Sequence, residues 1–240
     1  MTYQINQQEP QRVERDAAGR LFVHSIFKTI QGEGPYAGRA ALFVRLHGCN
    51  LQCPGCDTEY TSVKMALSPD VLRNIIFCEH NWKSGLVVIT GGEPFRQNIT
   101  PLVVNLTQFG YEVQVETNGV LYPGDDFPWQ DVTVVCSPKT GKIHPETAQR
   151  VHAYKYVLSA GGTHTDGLPR TALGHPLQGH HQYIARPPVG WRGPIYIQPM
   201  DVKDEHENAK NMQAVVDAVM EHPDKHYIMG VQMHKLTRLP

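Results

Sequence analysis

The stretch His47–Tyr60, HGCNLQCPGCDTEY, constrains this chain more than any other. It carries Cys49, Cys53 and Cys56, separated by three and then two residues. Three thiols so close in sequence cannot all pair as disulfides, so the loop reads as a metal site. Structural zinc takes four tetrahedral ligands, usually in two pairs, and no second pair is present. A four-iron cluster held by three cysteines instead leaves one iron open to a ligand that is not protein. The spacing therefore favours a [4Fe-4S] cluster over zinc. Such thiols must stay reduced, which points to the cytoplasm.

The bulk numbers set the limits around that loop. At 240 residues, one large domain is expected, with 1–20 as a polar, solvated lead-in and 21–240 as the domain. Hydrophobic content of 40% and charged content of 19% exclude a disordered chain. A formal net charge of -1 without a basic run argues against nucleic-acid binding. No apolar run has the length of a membrane span, and the N-terminus has no secretory apolar core. The 13 histidines are scattered, and their reading is surface or hydrogen-bonded residues.

In order, Leu21–Phe27 alternates as a strand and stops at Gln31-Gly32-Glu33-Gly34-Pro35. A second strand, Arg39–Cys49, delivers Arg45 and then the cysteine loop. Ser68-Pro69-Asp70 starts a helix that runs to about Trp82, with Cys78 packed in it. Apolar strands follow at Gly85–Pro94, Tyr111–Gly119, Asp131–Lys139, Ala153–Gly162, Pro194–Asp201 and Lys225–Lys235. Helices are expected at Asn98–Gly110 and Glu205–Glu221. Gly161–Pro194, rich in Gly, His and Pro, is either an ordered functional loop or a mobile insertion.

Strands alternating with helices or long crossovers imply an α/β fold with a mostly parallel sheet. Polar and glycine residues gather at the strand ends, including Gly32-Glu33, Gly91-Gly92-Glu93, Glu116-Thr117-Asn118, Ser137-Pro138-Lys139 and His234-Lys235. In a barrel-like sheet those ends share one face, where sites are built. In Gly91-Gly92-Glu93-Pro94 the glycines let a ligand lie against backbone, and Glu93 offers a carboxylate to an ammonium group.

The cysteine loop together with TGGEP resembles the radical S-adenosylmethionine (SAM) superfamily. TIQGEGPYAGRAALFVRLHGCNLQCPGCDT, with TGGEP, ETNG, SPK, QP and VQMHKLTRLP, resembles the 7-carboxy-7-deazaguanine synthase (QueE) family. The match is thinnest at Ser62–Asn81 and Gly161–Trp191.

The resemblance implies a partial or modified (βα)6 TIM-type barrel. It implies a [4Fe-4S] cluster on Cys49, Cys53 and Cys56 whose open iron is chelated by SAM, and Mg²⁺ on Thr58. Gly55, Asp57, Gly92, Glu93, Ser137, Pro138, Lys139, Gln198, Pro199, Met200 and Asp201 match the SAM cradle. Ile30, Gln31, Gly32, Glu33, Arg45, Thr90, Glu116, His234 and the terminal Pro240 match the substrate site. Arg45 makes independent sense, since its planar fork suits a carboxylate. The implied reaction converts 6-carboxy-5,6,7,8-tetrahydropterin to 7-carboxy-7-deazaguanine and ammonia by radical ring contraction. The implied partners are a flavodoxin- or ferredoxin-type reductant and a second copy in a homodimer. The rivals are a radical SAM activating enzyme acting on a partner protein and a zinc-binding interaction module.

Overall fold

The computed structural model describes residues 5–177, 181–237 and 239, with His234 described by its backbone alone. Pro240, His180 and the His234 side chain lie outside the described residues. The strands are β1 (Leu21–Ile30), β2 (Ala40–Leu46), β3 (Met65–Leu67), β4 (Gly85–Gly91), β5 (Tyr111–Thr117), β6 (Thr133–Cys136), β7 (Ala153–Leu158), β8 (Ile195–Pro199) and β9 (Tyr227–Met229). They form one sheet in the order β3-β1-β2-β4-β5-β6-β7-β8-β9. From β2 to β9 every neighbouring pair is parallel.

β1 is the exception, running antiparallel to β2, with the short β3 antiparallel on its far edge. The reason is chain length. Only residues 31–39 join β1 to β2, whereas a parallel crossover needs about a dozen residues or more. Gly32-Glu33 therefore does not leave the sheet on the rim that carries the cysteine loop, as the strand-end reading expects. Ile30 pairs with Ala40, at the opposite end of β2 from Cys49.

Each inner strand alternates its faces with a period of two, one face apolar throughout and the other mixed, apolar at Ala41, Leu86 and Val88 and polar farther along. Leu42, Val44, Val87, Ile89, Val113, Val115, Tyr154 and Tyr156 face the main core. Against them pack Leu72 of α1 (Pro69–Asn74) and Leu102, Val103 and Leu106 of α2 (Thr100–Gln108). The Val215 and Ala218 side chains of α4 (Glu205–Glu221) complete that layer. The opposite face shows Phe43, Arg45, Thr90, Glu116, Lys155, Val157 and Gln198 to a central cavity.

Several expectations shift. The helix capped by Ser68, whose hydroxyl accepts from the Val71 amide at 3.3 Å, ends at Asn74 and passes into a π-turn at Ile75–Glu79. Cys78 sits on that turn and is exposed rather than packed. The last strand is only Tyr227–Met229, because Gly230 breaks it, and His234-Lys235 lies in the short helix α5 (Met233–Thr237). The helix α3 (Pro145–Arg150) and strand β3 have no counterpart in the sequence reading.

The sheet must curl. Six strand steps separate β1 from β8, about 29 Å if flat at the usual spacing. Yet Glu33, three residues past β1, accepts a hydrogen bond from Gln198 of β8 at 2.7 Å. The curled, mostly parallel sheet with helices outside and a polar cavity inside is the partial barrel expected.

Residues 5–14 are not a solvated lead-in. They run as a strap across the cysteine loop. The Asn6 amide donates to the Pro54 carbonyl at 2.9 Å and the Gln11 amide to the Cys49 carbonyl at 2.7 Å. The Gln8 side chain donates to the Thr58 carbonyl and accepts from the Tyr60 amide. Arg96, 1% exposed, clamps strap and loop together. Its guanidinium donates to the carbonyls of Arg12 (2.6 Å) and His47 (3.0 Å) and pairs with Glu14 at 2.9 Å. Removing such a buried cation takes the donor from the Arg12 carbonyl and leaves the His47 carbonyl with Gln97 alone and Glu14 with Lys64 alone. Arg96→Met is expected to lower unfolding free energy by about 3 kcal/mol or more, measured by urea denaturation.

Candidate active site

The cavity inside the barrel encloses about 1260 Å³, its open mouth included. Its floor is a network around two carboxylates. One oxygen of Glu33 accepts from Gln198 and from Gln232, each at 2.7 Å, and the other pairs with the Lys155 ammonium. Glu116 accepts from Gln31 (3.2 Å), Gln114 (3.2 Å) and Thr90 (3.1 Å), with Lys155 at 3.7 Å. Burial opposes the Glu33 charge, but Lys155 and the two glutamines outweigh it and hold the carboxyl well below its usual range. Burial likewise opposes the Lys155 charge, and Glu116 and Glu33 outweigh it, so its pKa is raised.

On the same inner face, paired in register with Thr90, stands Arg45, whose buried Nε has no partner among the described residues. Burial lowers its pKa, while Asp57, Cys56 and Glu116 pull the other way. Its guanidinium rests 5.0 Å from the centre of the Phe27 ring. At the rim, Lys235 of α5 bridges Asp57 (3.1 Å) and Asp201 (3.3 Å), drawing the last helix over the mouth.

Cys49, Cys53 and Cys56 are free thiols, the first two buried. Burial pushes Cys49 up to about 12 and Cys53 up to about 11, and neighbouring thiols add to the rise at Cys49. Burial raises Cys56 too, with Lys139 and Arg45 opposing. Burial thus favours the neutral thiols, and metal binding to them releases their protons to solvent. Among the described residues no three His, Cys, Asp or Glu side chains are arranged for a single metal ion. A four-iron cluster spreads its thiolates over different irons, so it has another requirement, and three free thiols on one loop fit it.

Gly55 and Cys56 line the cavity, so it reaches the cysteine loop. Asp57, Gly92, Ser137, Lys139, Gln198, Met200 and Asp201 line it as well, which fits SAM spanning loop and strand ends. Lys139 is half-buried and donates to the Ser137 carbonyl at 3.1 Å; desolvation lowers its pKa. Thr58 also lines the cavity, its hydroxyl 3.4 Å from Asp57, and one such oxygen suffices for a Mg²⁺ ion that keeps waters.

Some expected residues sit elsewhere. Glu93 is fully buried and turned away from the cavity. Its oxygens take the Phe95 amide (3.0 Å), the Thr117 hydroxyl (2.7 Å) and the Asn118 amide (2.7 Å). Burial raises it to about 7 against those donors. It fastens the strand ends, and Asn118 passes the restraint to Asn50 of the cysteine loop at 2.8 Å. The glycine pair has its own reason: a Cβ on Gly92 would lie 2.2 Å from the Gly48 carbonyl oxygen and 2.8 Å from Cys49 Cβ. Pro138, Pro199 and Gly32 do not line the cavity, whereas Ile30, Gln31 and Thr90 do.

One contributor escaped the sequence reading. Lys155 was hidden in the apolar strand AYKYVL, where a lone cation at an inward position was the available signal. The segment 161–194, expected as either an ordered functional loop or a mobile insertion, contributes through Leu173. Leu173 lines the cavity and its carbonyl accepts from the Gly55 amide at 2.7 Å, so this segment walls the cysteine loop.

A curled parallel sheet holding three open thiols beside a polar cavity defines an iron–sulfur enzyme fold. A profile described as a 4Fe-4S single cluster domain matches residues 30–133. The protein named 7-carboxy-7-deazaguanine synthase in Rhodospirillum rubrum is 38% identical over 225 residues, covering 91% of this chain and 92% of that one. Its namesake in Rickettsia prowazekii is 35% identical, covering 90% and 87%. The chain belongs to the 7-carboxy-7-deazaguanine synthase family. The crystal structure of QueE from Escherichia coli shares the fold, with a TM-score of 0.62 at 20% identity over 89% of this chain and 94% of that one.

Because Gly92 is needed by the approach of β4 to the cysteine loop, Gly92→Ala is expected to displace that loop. Iron bound after anaerobic reconstitution should fall well below the wild-type ratio, and wild-type iron content in the variant would contradict this reading.

Proposed function

We propose that this chain converts 6-carboxy-5,6,7,8-tetrahydropterin to 7-carboxy-7-deazaguanine, using a [4Fe-4S] cluster, SAM and Mg²⁺. The observation that carries the reading is the polarity of the cavity. Glu33 and Glu116 keep unused acceptor capacity, and the Gln198 Oε1 atom is buried without a partner. Arg45, two strands away from Glu116 on the same inner face, offers an unpartnered donor. A ligand with a donor edge and a carboxylate at opposite ends satisfies both, as an aminopyrimidinone fused to a carboxylated ring does.

Cys49, Cys53 and Cys56 would hold the cluster, and Thr58 the Mg²⁺. When bound, the cluster and SAM supply hydrogen-atom abstraction and Mg²⁺ supplies Lewis acidity. The chain's own residues bind and orient. Arg45 grips the carboxylate through its planar fork, while Glu33, Glu116 and Gln198 fix the amino edge. The ring between them is held against the wall that carries Gly55 and Cys56. Lys235, through Asp57 and Asp201, keeps α5 over the mouth and so excludes water from the reacting ring.

A flavodoxin- or ferredoxin-type reductant, a homodimer and a cytoplasmic setting belong to the same reading. Family membership supports the first two. The five free cysteines fit a reducing compartment. No helix of the described residues is long and apolar enough to cross a membrane.

The test is anaerobic incubation of reconstituted protein with reductant, SAM, Mg²⁺ and the carboxylated pterin, followed by mass analysis. Product with the mass of 7-carboxy-7-deazaguanine is expected, and unchanged substrate over an intact cluster overturns the proposal. Arg45→Lys should raise KM on the order of tenfold to a hundredfold by losing a bidentate, charge-assisted contact. Thr58→Ala should weaken the response to Mg²⁺ while leaving iron content unchanged.

A further inference from the structure

Lys155 is the one charged side chain of β7, 7% exposed, and the family motifs assign it nothing. Its ammonium pairs with Glu33, from the loop after β1, and stands 3.7 Å from Glu116 of β5. No other cation forms an ion pair with either carboxylate among the described residues. The remaining neighbours of the network are neutral: the amides of Gln198 and Gln232 on Glu33, and the amides of Gln31 and Gln114 with the Thr90 hydroxyl on Glu116. Amides orient a carboxylate but cannot cancel its charge. Two buried carboxylates sharing one neighbourhood disfavour each other's ionisation, and one then keeps a proton.

Acceptor counting shows why the charge matters. A carboxylate offers about four lone-pair sites. Gln198 and Gln232 occupy one oxygen of Glu33 and Lys155 half of the other, leaving one site. Gln31, Gln114 and Thr90 leave Glu116 one as well. The two carboxylates thus offer one acceptor site each to a ligand edge with two N–H donors, beside the unpartnered Gln198 Oε1. A proton on either carboxyl would replace an acceptor by an O–H donor facing an N–H.

We propose that Lys155 is a positioning residue of the substrate pocket: standing between Glu33 and Glu116, it keeps both as carboxylates aimed at the donor edge of a neutral heterocycle. The inference rests on the pterin reading above and adds to it a residue that never touches the reacting carbon. The other charged groups that bear on this network are Asp57, which reinforces the Lys155 charge, Lys139, which opposes it, and Arg45, which is drawn toward Glu116. None of them lies between the two carboxylates.

The experiment is steady-state turnover of the reconstituted enzyme between pH 6.5 and 9 (roughly the span over which a buried carboxyl titrates), for wild type, Lys155→Met and Lys155→Arg. Wild-type KM should stay flat across that range. In Lys155→Met, KM at neutral pH should rise on the order of tenfold to a hundredfold, with kcat changed much less. That KM should fall again as pH rises, because alkali removes the trapped proton and restores the second acceptor. Lys155→Arg should keep the flat profile. Wild-type KM in Lys155→Met, or a raised KM that ignores pH, overturns the proposal. Should Lys155→Met not fold, Lys155→Arg and the double variant Glu33→Gln/Lys155→Met carry the test. Both should give flat profiles, the double variant with a raised KM, and a sloping profile in either one overturns it. Absence of wild-type turnover would instead refute the pterin reading, so the two failures are distinct.

Discussion

The curl of the sheet is the constraint on which the rest of the molecule depends. Unless β7 and β8 come round to meet the loop after β1, Glu33 faces solvent and the cavity has no floor. The antiparallel entry of β1 makes this possible. A chain that arrived by a parallel crossover would deliver Glu33 to the same rim as the cysteines. Because β1 instead runs the other way, the QGEG loop closes the barrel from the far end while the cysteine loop caps the near one. The cavity between them is polar for two reasons, with acceptors on the floor and a guanidinium on the wall.

The cysteine loop is a second focus, and it is held by parts of the chain with no chemistry of their own. The strap of residues 5–14 satisfies the carbonyls of Cys49, Pro54 and Thr58, and Leu173 takes the Gly55 amide. Arg96 and Glu93 finish the frame from beneath, one binding carbonyls and the other collecting amides. His47, Cys49, Cys53 and Tyr60 are buried, and these backbone contacts add to that burial in ordering the loop. That arrangement suits a site whose ligand spacing must match a rigid inorganic group.

Much of this was legible in the chain itself. The apolar strands announced the parallel sheet, and the cysteine spacing announced a metal loop with one ligand missing. Arg45 stood out because its planar fork suits a carboxylate. What escaped was long-range. No local pattern tells that a polar N-terminal segment will find unsatisfied carbonyls 48 residues away, as Asn6 and Pro54 do. The GGEP glycines were read as room for a ligand, but their missing side chains are filled by the backbone of Leu46 and Gly48. Lys155 was masked because a run of buried residues hides the one that points inward. The strand at 225–235 was overextended since its apolar residues continue past Gly230, where the chain turns into α5.

The central claim is that one cavity reads both ends of its ligand, the amino edge through Glu33 and Glu116 and the carboxylate through Arg45. It is tested most directly by the affinity of the reconstituted protein for the carboxylated pterin and for the same pterin without its carboxylate, in wild type and in Arg45→Met. Wild type should prefer the carboxylated ligand by on the order of tenfold or more, and Arg45→Met should lose that preference while binding the bare pterin unchanged. A preference that survives in Arg45→Met would contradict the account.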